Sequence, residues 1–142
     1  MRTVKEIKVY ANGRKQTIVA LFCAKGASAF GGDTGATVNY IKKEIGLKFD
    51  TRMKLPEVIS VGLGGKKQKI EELISASVQI DKFKMPSQNF YLVDLRKFDA
   101  ILGAFFLEQW GIILDPKTKK LKIKKEWIQL QEEFSICILN PA

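Results

Sequence analysis

The 142 residues are near the usual size of one domain, and a hydrophobic content of 46% is enough for a real core. Lys and Arg number 24 against 15 Asp and Glu, a formal charge of +9, which admits an anionic or acidic partner. The chain has no histidine. That excludes Ser-His-Asp triads, Cys-His pairs and histidine-based metal sites, and leaves proton transfer to carboxylates, lysines, tyrosines or cysteines.

In chain order, "EIKVYANGRKQTIVALF" (6-22) reads as two strands joined at Asn12-Gly13, a pair suited to a tight hairpin. "CAKGASAFGG" (23-32) is small and glycine-rich and is expected to be a loop. After Asp33-Thr34-Gly35-Ala36-Thr37, the run "VNYIKKEIGL" (38-47) spaces Val38, Ile41 and Ile45 so as to predict a short amphipathic helix that stops at Gly46. "EVISVGLGGKKQKIEEL" (57-73) predicts a hairpin with Gly62, Gly64 and Gly65 near its tip. Two more strands are expected over 75-95, then strand, glycine, short helix and strand over 99-115, and further strands to the end. Many short strands and two short helices predict a mostly β domain.

The densest basic run, "KTKKLKIKK" (117-125), is expected to be a solvated hairpin surface, with a nucleic-acid or acidic-substrate contact as the other reading. Cys23 and Cys137 sit far apart among hydrophobic neighbours and are expected to be unpaired thiols, which favours a reducing compartment. With no long apolar run in "MRTVKEIKVY" or after it, a soluble cytoplasmic protein is expected. The lysine-rich, cysteine-poor composition would also suit a hot environment.

Asp33-Thr34-Gly35-Ala36-Thr37 resembles the catalytic loop of the retropepsin-like aspartic proteases, the single-domain proteases of retroviruses and retrotransposons and their cellular relatives. Ile101-Leu102-Gly103 resembles the family's second signature, and Ala104-Phe105-Phe106-Leu107 looks like the opening of its short C-terminal helix. The glycine hairpin sits where the family carries its flap. The resemblance covers about residues 6 to 125, with 126-142 as a C-terminal extension of one domain. It implies a closed β-barrel of the acid-protease type with one or two short helices.

It also implies an aspartic endopeptidase, a hydrolase that needs no cofactor and no metal. Two carboxylates sharing one proton can deprotonate a water and protonate the carbonyl oxygen, because like charges held close cannot both ionise. One Asp-Thr-Gly per chain implies a homodimer in which Asp33 meets its symmetry mate. By position, Thr34 would hydrogen-bond across the two-fold axis, and Gly35 would leave room for the carboxylates to approach. Ala36 and Thr37 would finish the loop, Ala36 and Ile101 would border the substrate, and Gly103 would either pack under the loop or simply turn the chain from strand to helix. Gly62, Leu63, Gly64 and Gly65 would supply a flap over an extended peptide, with a plain surface hairpin as the alternative. Trp110 and Trp127 are expected to be packing residues. The strand-like "FSICIL" (134-139) would either join a dimer interface or fold back on its own core.

Two features depart from the family, one of them the tail "KKEWIQLQEEFSICILNPA", longer than a minimal member requires, and the other an insert. Ten residues, 23-32, stand between "IVALF" and "DTGAT", and within them "AKGAS" (24-28) imitates the catalytic loop with Ala24 in place of the aspartate. If 24-28 fills the loop position, the protein is an inactive dimerisation or peptide-binding module. A basic nucleic-acid-binding β-domain is the remaining reading. It lacks a row of aromatics for stacking on bases.

Overall fold

The structure is a computed structural model that describes residues 3–4, 6–24, 38–63 and 66–137. Within these the elements are β1 (Thr3–Val4), β2 (Ile7–Ala11), β3 (Arg14–Ile18), β4 (Ala20–Phe22), β5 (Asn39–Lys42), α1 (Lys43–Gly46), β6 (Arg52–Leu63), β7 (Lys66–Ile80), β8 (Phe83–Val93), β9 (Ala100–Leu102), α2 (Ala104–Gln109), β10 (Ile113–Asp115), β11 (Lys120–Ile123), β12 (Glu126–Leu130) and β13 (Ser135–Ile136). The mostly β expectation holds. The larger sheet runs β13-β4-β9-β5-β8-β7-β2-β3 with β6 added on β7, and the smaller runs β1-β12-β11-β10. One apolar cluster joins them: Ile7, Val9, Phe22, Ile74, Phe90 and Leu102 of the larger sheet pack with Leu121, Ile123, Ile128 and Leu130 of the smaller.

Local sequence explains the hairpins. Asn12 and Gly13 have φ of 49° and 79°, the doubly left-handed turn whose twist matches paired strands. β2 and β3 accordingly pair from Ile7↔Ile18 to Ala11↔Arg14. Lys124 and Lys125 make a turn of the same hand, with φ of 48° and 67°, between β11 and β12. Within the lysine-rich run Leu121 and Ile123 are buried while Lys117, Lys124 and Lys125 stay exposed, as a solvated hairpin requires. The glycine hairpin forms too, with β6 and β7 paired from Arg52↔Ile74 to Leu63↔Lys66.

The helix expected over 38-47 is replaced by strand β5 followed by the single turn α1. Strand β5 lies between β8 and β9, so Asn39, Tyr40 and Ile41 are all buried. A strand covered on both faces loses the alternation that would reveal it. Its apolar residues then mimic a helical spacing. Tertiary pairing overrides the local pattern.

Two further expectations change. Cys23 and Cys137 are joined in a disulfide, so the case for a reducing compartment drawn from unpaired thiols falls. Spacing alone could not reveal this, because 114 positions separate them and only the fold brings them together. The second concerns Trp127. Trp110 packs against the main core, but Trp127 remains 41% exposed, with the Lys122 ammonium 5.8 Å from its ring centroid. In the C-terminal strand, the option of folding back is the one taken by the described residues: β13 pairs in parallel with β4, and Phe134 is buried in the main core. No described helix is long and apolar enough to cross a membrane.

Candidate active site

The scaffold of the site is β9, held between β4 in parallel and β5 in antiparallel. Leu21 pairs with Ile101 and Phe22 with Leu102, and Ile101 also pairs with Tyr40. Past the end of β4 the Cys23 N–H donates to the Leu102 carbonyl at 2.9 Å. From the other side, the buried Asn39 side chain accepts the Gly103 N–H at 2.9 Å. Gly103 therefore has its amide satisfied by a side chain at the point where β9 gives way to α2. Its φ of −89° is open to any residue, in keeping with a strand-to-helix turn.

The opposite end of β9 is tied by Asp99. Its carboxylate accepts the Val19 N–H at 2.8 Å and lies 3.5 Å from the Lys42 ammonium, while its backbone N–H donates to the Val19 carbonyl and its carbonyl accepts the Lys42 N–H. This carboxylate is a brace for three strands. Sequence reading passed over both Asn39 and Asp99, because their partners are distant in the chain.

The described chain leaves β4 at Cys23-Ala24 and re-enters β5 at Val38. Asp33, Thr34, Gly35, Ala36 and Thr37 lie outside the described residues, as do Gly64 and Gly65. In the described part, the positions that follow β4 carry no carboxylate: they are Cys23, held in its disulfide and hydrogen-bonded to Leu102, and Ala24.

Ile101 is fully buried. It belongs to a second apolar cluster with Leu21, Cys23, Tyr40, Leu63 and Ile70. Thus the tip residue Leu63, 6% exposed, belongs with the floor residue Ile101, although most of β6 is exposed. Gly62 has no heavy atom within 4 Å of where a Cβ would stand, so the described structure does not demand a glycine there. Gln68 on the return strand adds an anchor: its amide donates to the Asp94 carbonyl at 3.0 Å and accepts the Asp94 N–H at 2.9 Å. This extends the β7–β8 contact beyond the last strand pair, Leu73↔Tyr91.

Burial, and then the neighbouring Tyr91, push the Tyr40 phenol above its ordinary value. The two rings are 6.2 Å apart, centroid to centroid. Tyr40 is a neutral packing group at ordinary pH, unsuited to act as an ionised base.

No protein-family model and no curated protein matches the chain. Among solved structures it is similar to the retroviral protease-like domain of Ddi1 from Leishmania major, with a TM-score of 0.56 and 18% identity over 94% of this chain and 98% of that one. At that identity the likeness is one of fold. The chain has the retropepsin-like fold.

Proposed function

We propose that the protein is an aspartic endopeptidase acting as a homodimer, with one Asp33 from each subunit forming the carboxylate pair. The observation that carries this reading is the setting of Ile101-Leu102-Gly103 between β4 and β5, the two strands whose ends bracket the Asp33-Thr34-Gly35 segment in sequence. In this reading residues 1-142 act as one domain, Thr34 and Gly35 shape the loop, and the substrate is an extended peptide or protein under the β6–β7 hairpin. One carboxylate takes a proton from water as the other gives its proton to the carbonyl oxygen, so no metal or covalent intermediate is needed. A cytoplasmic setting enters this reading only together with a hot environment, where intracellular disulfides are common.

The test is the dependence of cleavage on protein concentration. If two chains build the site, specific activity on an unfolded protein substrate rises with concentration through the dimerisation range and then levels off. Specific activity that stays flat while sedimentation reports a shift from monomer to dimer would exclude a shared site.

A second reading keeps the fold without the chemistry. Cys23, hydrogen-bonded to Leu102, and Ala24 occupy the positions leaving β4, and Asp33 lies nine residues beyond Ala24. On this reading the protein is a dimerisation or peptide-binding module, which binds the same unfolded substrate without cutting it at any concentration.

A further inference from the structure

We infer that an open cavity beside the start of β7, on the tip side of the β6–β7 hairpin, is a binding site for an acidic stretch of polypeptide. The cavity, of about 310 Å³, is bordered by Lys66, Lys67 and Lys69 of β7, Lys43 of α1, and the linked pair Gln68 and Asp94. All four lysines are exposed. Among the described residues none of them takes part in an ion pair, whereas Lys8, Lys42 and Lys82 each have a carboxylate partner. The lysines are brought together by two separate elements. Their strand is fixed by the paired hydrogen bonds between the Gln68 amide and the Asp94 backbone.

Four lysines against the single acidic residue of the lining, Asp94, leave an excess of positive charge around the concavity, and an anion relieves the repulsion among the lysines. The ligand is a polypeptide rather than a nucleic acid because the lining offers no aromatic ring on which a base could stack. An extended acidic chain matches the spread of the lysines along a strand, where a compact phosphate would engage only part of it. This deepens the reading of the hairpin as a lid over peptide: the acidic stretch would flank the segment being cut.

The test uses protein carrying Asp33→Asn, so that binding is measured without turnover and does not depend on whether the protein is a protease. A fluorescent glutamate-rich peptide of about ten residues is titrated at low salt and compared with its glutamine counterpart. Three proteins are measured: the parent, a variant with Lys43, Lys66, Lys67 and Lys69 all changed to Gln, and a control with the same change at Lys117, Lys120, Lys124 and Lys125. A loss of about tenfold or more is expected in the first variant, because several charge contacts are removed together, with a much smaller loss in the control. Lys67→Glu alone should weaken binding in the same direction, which keeps the result interpretable if the fourfold variant unfolds. Equal losses in the two variants would reduce the effect to the net charge of +9 and overturn the site. So would an unaltered affinity in the first variant, or equally tight binding of the glutamine peptide. An RNA oligonucleotide of equal charge that outcompetes the peptide would overturn the choice of polypeptide.

Discussion

Asn39 shows how one side chain can fix a site and escape notice. In the string "DTGATVNYI" it stands two residues after Thr37 as an ordinary polar residue. In the fold its side-chain oxygen is the acceptor for the Gly103 N–H. A buried amide stripped of its partner costs about 1–3 kcal/mol. Asn39→Leu, similar in size and without an acceptor, should therefore lower unfolding free energy by about that amount in a urea titration, with Asn39→Asp closer to the parent. An unchanged midpoint in Asn39→Leu would mean that Gly103 finds another acceptor at no cost. The Ile101-Leu102-Gly103 segment was legible because it is written in consecutive positions. The group that supports its glycine was not, since Asn39 and Gly103 are 64 positions apart.

Among the elements, those with alternating burial were readable. Strand β7 alternates from Ile74 to Ile80, and its pattern survives in the sequence. Strand β5 is buried on consecutive residues and reads as the wrong element. The β6–β7 hairpin was visible from its glycines, but what restrains it was not. Leu63 is drawn into the cluster containing Ile101, and Gln68 grips the Asp94 backbone from a strand position that looks merely polar. Gln68→Leu keeps the bulk and removes both hydrogen bonds, each worth about 0.5–1.5 kcal/mol. The expected outcome is faster amide hydrogen exchange through β6 and the start of β7, by about fivefold to a hundredfold close to the tip, with exchange in β2 and β3 unchanged. Unchanged exchange near the tip would show that Leu63 alone holds the hairpin down.

For the whole molecule, the retropepsin-like fold was legible from the order of motif, hairpin and Ile-Leu-Gly segment, while the way its C-terminal end closes was not. Strand β13 lies on β4, the Cys137 N–H donates to the Phe22 carbonyl at 2.8 Å, and the disulfide links the two strand ends. Two cysteines 114 positions apart carry no sequence signal of their pairing. A cross-link closing so long a loop restricts the unfolded chain and is worth about 4–5 kcal/mol on chain-entropy grounds. Cys23→Ala with Cys137→Ala should lower Tm by about ten degrees or more, and a thiol reductant should do the same to the parent but not to the double variant. A reductant that shifts neither would mean that the two sulfurs are unlinked in solution.

The proposed protease depends on Asp33, even though ten residues separate it from the strand that the family would join to it directly. The most direct measurement compares the parent with Asp33→Asn in cleaving casein from about pH 3 to about pH 7, the range in which a shared-proton carboxylate pair titrates, at equal protein concentration above that needed for dimers. Cleavage by the parent that disappears in a folded, dimeric Asp33→Asn is the expected result. Cleavage that persists in Asp33→Asn, or a folded parent dimer that cuts nothing across the whole range, would contradict it and leave a retropepsin-like fold used for binding alone.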